Sequence, residues 1–333
     1  MTDPVLPRIS QDARQRVAPE LLPGLDLIPA FELNEQVLQT LRSGAITGAR
    51  EAPPLSPRQQ AVGCEQRLLR GAAGGPDVRV LVYTPAGTGS TQRPVYLHLH
   101  GGGFVLGAPE INDGANRSLA ADLDCIIVSV DYRLAPEVRY PAPVEDCYAA
   151  LKWLYGDAER LGIDRQRIAV GGESAGAGLA AMLSILTRDR GEVPIRLQLL
   201  DSPMLDDRTG TSSDPHPHCG RLVWTSVSNR FAWRAFLGTE PGAAEAPLGA
   251  VPARVSDLTG LAPAFIVIGA LDLFLEESLE YARRLVRADV PTELHVIPGA
   301  FHGFGAAGGE APQVKTCLGL RAAALARAFE FKK

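Results

Sequence analysis

Short apolar runs alternate along most of this chain with longer segments whose hydrophobic residues recur at helical spacing. Seven of these runs are typical of strands: 78–84, 95–99, 125–130, 167–170, 195–200, 264–268 and 293–297. Helical patterns lie between them, as at 144–161, 177–187 and 276–288. When strands alternate with helices along a chain, the strands pair in parallel and the helices cover the sheet. The pattern therefore predicts an α/β fold with a mostly parallel central sheet and helices on both faces.

The N-terminal part of the chain breaks this alternation. Residues 1–52 carry little strand signal, and the spacing over 31–41 predicts a short amphipathic helix. The proline-rich stretch at 53–57 follows and is typical of a linker. We therefore predict an N-terminal segment at 1–52 and a main domain at 53–333.

A second irregular segment lies inside the main domain at 204–250 and holds four large aromatic residues: Trp224, Phe231, Trp233 and Phe236. The spacing of Trp224, Phe231 and Trp233 predicts one apolar face of a helix. Such a face is as consistent with ordinary packing on the core as with a role at a binding site.

Composition and charge argue against several classes of protein. The 333 residues are enough for a sizeable core, and a net charge of −5 with scattered Lys and Arg argues against a nucleic-acid-binding face. We find no apolar run of the length, about 18 residues, that predicts a membrane span, and no pattern of a secretory signal. The five cysteines are odd in number and widely spread, which favours reduced thiols and a cytoplasmic location.

The stretch Gly172-Glu173-Ser174-Ala175-Gly176 carries the clearest chemical signal. It follows a strand pattern and opens a helical one, and G-x-S-x-G in that context is typical of a nucleophile elbow. The tight turn presents the serine hydroxyl above the sheet edge, and glycines flank it because a Cβ there would strike a neighbouring element. We expect the N–H of Ala175, at a helix N-terminus, to face the same space and to favour negative charge.

A second glycine-rich turn, His100-Gly101-Gly102-Gly103-Phe104, follows an earlier strand. Consecutive glycines let backbone N–H groups converge on a small anion, which in acyl transfer is the tetrahedral oxyanion. An isolated triple glycine is more often a flexible turn, but the strand before it and the elbow favour the oxyanion interpretation. The glycine spacing does not fit a dinucleotide fingerprint, and the G-K-[ST] of a P-loop is missing. We therefore predict an oxyanion hole formed by Gly101, Gly102 and Ala175.

These two motifs and the segment 131–137 (DYRLAPE) resemble the three landmarks of the hormone-sensitive-lipase-like branch of the α/β-hydrolases, the bacterial family IV esterases. The resemblance runs in order from about residue 78 to the C-terminus. One departure is Glu173, where the family more often has Asp or Thr. The resemblance implies an α/β-hydrolase fold, a carboxylesterase, and a helical cap made by residues 1–52 together with the 204–250 insert. It also implies that 131–137 packs beneath the glycine loop and holds it.

His302 is the strongest candidate for a catalytic base. The α/β-hydrolase order is serine, acid, histidine, and His302 follows the last strand in a Phe-His-Gly-Phe string. His295 lies inside that strand, where a histidine is more often a packing or surface residue. His98 and His100 precede the serine, and we expect His100 to hold the glycine loop in place.

The acid of the triad is predicted at Asp272, just past the strand at 264–268. Active-site residues of an open α/β sheet gather at the carboxyl ends of strands, and the resemblance places the acid on Asp272, with Glu276 as the reserve. Glu276 and Glu277 also have another explanation, since acidic residues in a first helical turn offset the macrodipole.

These residues predict ester hydrolysis by Ser174, His302 and Asp272, with no metal or organic cofactor. The pair His216 and His218 stands next to a cysteine, but one H-x-H-C without further ligands is a weak metal signal. We therefore predict no metal site.

The substrate is predicted to be a small-molecule ester with a short or medium acyl chain. The resemblance implies that aromatic residues line its pocket, and the candidates are Phe104, Trp224, Trp233 and Phe304. Receptors of this family have lost the triad histidine, so His302 disfavours a receptor. An amidase is disfavoured because nothing marks an amine-recognition site. Members of the resembling family often pair through an edge strand, so the resemblance implies a homodimer for this protein.

Overall fold

The computed structural model describes residues 9–44, 54–72, 74–87, 92–307 and 310–330. Within those residues the strands are β1 Val62–Leu69, β2 Val78–Pro85, β3 Arg93–Leu99, β4 Ile126–Asp131, β5 Ile163–Glu173, β6 Leu197–Asp201, β7 Ala264–Gly269 and β8 Thr292–Ile297. They form one sheet in the order β1-β2-β4-β3-β5-β6-β7-β8.

Helices connect and cover the strands. The α-helices of the described residues are α1 Gln11–Gln15, α2 Leu22–Leu25, α3 Glu35–Arg42, α4 Pro57–Gln60, α5 Asp113–Leu123, α6 Ala142–Gly156, α7 Ala158–Leu161, α8 Ala175–Arg190, α9 Ser226–Leu237, α10 Leu275–Arg287 and α11 Pro312–Phe329. Short 3-10 helices lie at Pro19–Leu21, Pro109–Asn112, Pro252–Arg254 and Phe304–Ala307.

The sheet is parallel from β4 through β8, and β1 and β2 extend it with antiparallel pairing. Parallel neighbours need crossover connections, which α5, α6, α8 and α10 provide within the described residues. The carboxyl ends of the parallel strands therefore meet at one edge of the sheet, where the loops of an α/β fold form its active site.

Each face of the sheet carries a buried layer because successive strand residues point to opposite sides. Val80 and Val82 of β2 pack in one layer, together with α6, α8 and α10. Leu81 and Tyr83 pack in the other layer, together with α5 and α11. Burial on both faces explains why β3 and β7 read as continuous apolar runs instead of alternating ones.

The N-terminal segment packs against the 204–250 insert and the glycine loop. The N–H of Leu33 donates to Ser228 Oγ, at the start of α9, over 3.0 Å. Arg42, the last residue of α3, donates to the carbonyl of Val105 over 2.9 Å and to that of Ala135 over 2.7 Å. Two segments far apart in the chain are thus joined above the carboxyl edge of the sheet.

The predicted α/β fold, with a mostly parallel sheet and helices on both faces, is confirmed. The strand β1 was missed, because most of its side chains are exposed and it carries charged residues in place of an apolar alternation. It forms through its eight-residue antiparallel register with β2, a long-range contact that its own sequence does not indicate.

Two N-terminal boundaries differ from the prediction. The helix predicted at 31–41 is α3, and it begins only at Glu35. The Asn34 side chain accepts the N–H of Val37 over 2.9 Å and caps the helix there. The helix α4 begins inside the predicted linker at 53–57. Its first residue is Pro57, because Ser56 forms a capping box with Gln59.

The predicted helical face in the insert was wrong at Trp224. The helix α9 begins after it, because the Thr225 side chain accepts the N–H of Ser228 and serves as the N-cap. Trp233 is fully buried and Phe231 is only half-buried, so the buried face of α9 is built by Trp233 and its neighbours on the helix.

Replacing Gly172 by Ala should strongly destabilise the fold. A Cβ at this position would lie 2.0 Å from the Leu99 carbonyl oxygen, so β3 and β5 would have to separate, at a cost of about 3 kcal/mol in free energy of unfolding. The matched control is Gly319→Ala at an exposed position of α11, where a Cβ meets nothing within 4 Å and should stabilise by about 0.5–1 kcal/mol. Urea unfolding followed by circular dichroism tests both, and equal effects would contradict the close-contact argument.

Candidate active site

Ser174 stands at the turn from β5 into α8. Its φ of +55° is in the left-handed region that non-glycine residues avoid, and the turn is held by its own backbone, since the Ser174 N–H donates to the Asp201 carbonyl over 2.8 Å. The flanking Gly172 and Gly176 both pack against the Leu99 carbonyl oxygen, which a Cβ on either would approach to 2.0 Å. The local geometry is that of the nucleophile elbow expected from the sequence.

His302 joins Ser174 to Asp272. Its Nε2 lies 2.9 Å from Ser174 Oγ, and its Nδ1 lies 2.8 Å from Asp272 Oδ2. Because a carboxylate accepts hydrogen bonds, Nδ1 carries a proton and Nε2 is left to accept the serine hydroxyl. The three side chains follow the carboxyl ends of β5, β7 and β8, which the parallel sheet brings to the same edge.

Asp272 is fully buried, and its second oxygen is also occupied. Asp272 Oδ1 accepts the N–H of Phe274 over 3.0 Å, which orients the carboxylate toward the histidine. The Phe274 ring meets the His302 imidazole edge-on, with ring centroids 5.1 Å apart. The imidazole is thereby fixed from two sides.

Glu277 has a role beyond the expected one. It lies in the first turn of α10, as the macrodipole explanation requires, but it is also buried. Its Oε1 accepts the N–H of Leu205 over 2.6 Å, and its Oε2 accepts the hydroxyl of Thr209. Burial raises the pKa of Glu277 well above its usual range. Glu277 therefore anchors the start of the insert, a role that only a long-range contact reveals.

The glycine loop folds back on itself directly after β3. Gly102 has a φ of +123°, and its carbonyl accepts the N–H groups of Val105 and Leu106 over 3.1 and 2.8 Å. Among the described residues we find no acceptor for the N–H groups of Gly101, Gly102 and Ala175. A Cβ on Gly101 would lie 3.5 Å from Ser174 Cβ, so the loop passes close to the serine.

His100 and Tyr132 support this loop from beneath. Their rings stack with centroids 4.2 Å apart, and the Tyr132 hydroxyl donates to the His100 carbonyl over 2.6 Å. His100 Nδ1 lies 2.9 Å from the Gly101 carbonyl. The segment 131–137 therefore packs where the resemblance implied, and burial lowers the pKa of His100 to about 4.

The four predicted pocket residues lie in two different layers of the core. Phe104 and Trp233 are fully buried with ring centroids 5.2 Å apart, in the core layer of α8. Trp224 belongs to the same layer, and its ring centroid lies 6.0 Å from that of His302. Phe304 packs in the opposite layer with the N-terminal helices and α11. A pocket role for these four remains a prediction.

The first histidine of the pair in the insert, His216, already has partners. His216 Nδ1 accepts the N–H groups of His218 and Cys219 over 3.1 and 3.0 Å, so backbone bonds explain its position. Across the described ranges, no group of three or more His, Cys, Asp or Glu is arranged to hold a metal ion.

A family model described as the alpha/beta hydrolase fold matches residues 96–306. This chain belongs to the α/β-hydrolase family. Esterase LipI of Mycobacterium tuberculosis is 34% identical over 307 residues, which are 90% of this chain and 92% of LipI. Carboxylesterase NlhH of the same organism is 33% identical over 98% of this chain and 99% of its own length. A solved structure titled Bacterial Heroin Esterase superposes with a TM-score of 0.86 at 35% identity, over 95% of this chain and 99% of that one.

These similarities confirm the predicted relationship to the hormone-sensitive-lipase-like esterases and the predicted enzyme class, a carboxylic ester hydrolase. None of the helices among the described residues combines the length and the apolar character that a bilayer span requires.

The stability of this fold should fall between pH 6.5 and pH 4 because of His100. The unfolded chain takes up a proton near the ordinary imidazole pKa, whereas buried His100 does so only near pH 4, so stability is lost as the pH falls through this window. The expected loss is about 3 kcal/mol, since one pKa unit corresponds to about 1.4 kcal/mol.

Chemical denaturation between pH 7 and pH 4 measures this loss. The variant His100→Phe keeps the stacked ring but cannot titrate, so its stability should change less steeply with pH than that of the wild type. Tyr132→Phe is the matched control, which should lower stability at every pH without altering the slope. Equal slopes for the wild type and His100→Phe would refute the assignment.

Proposed function

We propose that this enzyme hydrolyses short- to medium-chain carboxylic esters through a Ser174–His302–Asp272 triad and an acyl-enzyme intermediate. The hydrogen-bonded line from Asp272 through His302 to Ser174, with distances of 2.8 and 2.9 Å, is the observation that supports this mechanism most directly. The alternative candidate for the triad acid, Glu276, has no such contact with His302 among the described residues.

The chemistry follows from the positions of the protons. His302 Nε2 takes the proton of Ser174 as Oγ attacks the ester carbonyl carbon, and it returns that proton to the departing alcohol. Asp272 stays ionised and stabilises the imidazolium that forms between these steps. A water molecule then attacks the acyl-enzyme with His302 again as the base, and the carboxylic acid leaves. These steps need no metal or organic cofactor.

The oxyanion of each tetrahedral intermediate would be bound by backbone N–H groups of Gly101, Gly102 and Ala175. Their lack of an acceptor among the described residues supports this role, and so does the position of Ala175 at the first residue of α8, where the helix favours negative charge. One such donor typically contributes about 10²–10³ in rate.

The substrate preference would be set by aromatic side chains around the serine. A Cβ on Gly103 would lie 2.4 Å from the Trp224 indole, so this ring fills the space next to the glycine loop. Asn229 holds the ring, since its Oδ1 accepts the Trp224 Nε1–H over 3.1 Å and its Nδ2 donates to the Thr209 carbonyl over 2.7 Å. A wall held in this way favours short acyl chains over long ones.

The helical cap formed by residues 1–52 and 204–250 is part of the same proposal. The described part of the N-terminal segment, 9–44, contacts the insert through the Leu33–Ser228 hydrogen bond. This contact supports a cap that the two segments form together. A homodimer, the absence of nucleic acid partners and a cytoplasmic location remain predictions, and sedimentation of the purified protein tests the first.

Hydrolysis of p-nitrophenyl acetate, butyrate, octanoate and palmitate tests the triad. Ser174→Ala and His302→Ala should each lower kcat on the short esters by about 10⁴–10⁶, and Asp272→Asn by about 10⁴. Ser184→Ala is the control, because this serine is buried further along α8 and away from the proposed triad.

Activity that survives Ser174→Ala in a folded protein would contradict the proposed nucleophile. A wild-type protein that does not hydrolyse the esters but cleaves the matching anilides would instead indicate an amidase. Ligand binding in calorimetry without any turnover would indicate a receptor.

The acyl-length limit has its own test in Trp224→Ala. Removing the indole should raise the ratio of kcat/KM for octanoate to that for acetate by about tenfold or more, because each accommodated methylene contributes to transition-state binding. Trp153→Ala on α6 is the matched control, since this half-buried ring contacts Arg67 and not the site. An unchanged chain-length profile in Trp224→Ala would show that the indole is not the wall.

A further inference from the structure

A mostly buried set of charged side chains lies beneath the elbow, and the proposed mechanism does not use it. Arg321 of α11 donates through Nη1 to Asp201 Oδ2 over 2.9 Å and through Nη2 to Glu173 Oε1 over 2.5 Å. The other oxygen of Glu173 lies 2.9 Å from His98 Nε2. These four residues, Glu173, Asp201, Arg321 and His98, form the elbow cluster.

The two carboxylates of the cluster are neighbours in the sheet. Glu173 ends β5 and Asp201 ends β6, and the two are directly paired in the parallel register. Like charges in such a position repel each other, and burial removes the water that would screen them. Arg321 stands between them and neutralises this repulsion with two charge-assisted hydrogen bonds.

Both carboxylate residues also bear directly on the serine. Glu173 precedes Ser174 in the chain, and the Asp201 carbonyl accepts the Ser174 N–H over 2.8 Å. The next residue, Ser202, has a φ of +49°. A strained elbow persists only where its surroundings hold it, and here the surroundings include a pair of acids that one guanidinium keeps together.

We propose that Arg321 is a positioning residue for the nucleophile: by joining Glu173 to Asp201 it holds the Ser174 turn in the geometry that His302 requires. This inference rests on the proposed triad. Arg321 touches neither the serine hydroxyl nor the imidazole among the described contacts, so it acts through the backbone of its two partners.

Several other groups face the cluster and shape its titration. His98 Nδ1 lies 2.9 Å from Ser129 Oγ, and Asn112 Nδ2 lies 3.5 Å from Glu173 Oε2. Further groups close to the cluster are Asn116, Ser202, Cys317, Tyr96 and Asp272. Both carboxylates are thus influenced from β3, β4, α5, α11 and the loop that carries the proposed triad acid.

The charges make the cluster sensitive to the loss of Arg321. Burial raises the pKa of Asp201 to about 6 even though Arg321 opposes the rise, and the charge of Glu173 adds to it. Burial also acts to raise the pKa of Glu173, but the charges of His98 and Arg321 outweigh it and hold the pKa at about 2. Without Arg321 the two acids would share a proton at low pH and repel each other once both ionise.

The experiment compares Arg321→Met and Arg321→Lys with the full-length wild type on p-nitrophenyl acetate from pH 5.5 to pH 8.5. At pH 8 the kcat of Arg321→Met should fall about 10- to 100-fold, as for a small misplacement of a reacting group, while KM changes little. Its kcat relative to the wild type should fall further as the pH rises. Arg321→Lys should lose less, because it keeps one charge between the acids.

The matched control is Arg167→Met. Arg167 lies near the opposite end of β5, pairs with Asp164 over 2.7 Å, also contacts the end of α11, and is as buried as Arg321. Its loss should lower the melting temperature and leave kcat and its pH profile unchanged.

A double variant separates repulsion from a general loss of packing. Adding Asp201→Asn to Arg321→Met removes one of the two charges, so most of the kcat should return and its pH dependence relative to the wild type should disappear. The rate of Ser174 phosphonylation by a fluorophosphonate should follow the same order as kcat, because it reports the reactivity of the serine alone.

The proposal is overturned if folded Arg321→Met has the kcat of Arg167→Met at every pH, or if its deficit is the same at all pH values. If Arg321→Met does not fold, Arg321→Lys decides, and a kcat equal to that of the control contradicts the proposal. An inactive wild type or an active Ser174→Ala contradicts the triad instead, so the two failures are distinguishable.

Discussion

The close contact between β3 and the turn that holds Ser174 is the constraint on which the rest of this structure depends. Gly172 and Gly176 leave room for the Leu99 carbonyl, which touches the backbone on both sides of the serine. Because the glycine loop continues directly from β3, the same contact brings that loop beside the serine. The strained φ of Ser174 is maintained by this packing and by backbone bonds to β6.

Parallel pairing carries the arrangement to the other residues of the site. The loops after β7 and β8 deliver Asp272 and His302 to the same edge at which β5 ends in the elbow. The pairing of β5 with β6 has an electrostatic cost at this edge, because it brings the carboxylates of Glu173 and Asp201 together. Arg321, from a helix near the C-terminus, compensates for that cost.

The N-terminal segment and the insert, the two parts of the proposed cap, are the least regular parts of the chain. The described N-terminal residues are joined to α9 through Ser228, and the insert is anchored at its start by Glu277. These contacts fix Trp224 near His302 through Asn229. A polar framework thus positions the Trp224 ring, which explains why a buried Asn side chain lies in the insert and a buried Glu side chain of α10 packs against its start.

The sequence by itself determined the α/β fold, the elbow and the glycine loop, because turn chemistry, glycine requirements and apolar periodicity are local properties. It also led to His302 and Asp272 as candidates for the triad, since the order of the motifs, the strand ends and the family resemblance can be read along the chain. Only the tertiary structure decided the edge strand β1, the anchoring role of Glu277 and the link from Arg321 to the elbow. Each of these depends on a partner distant in sequence, and a charged side chain carries no local signal of which partner it will meet.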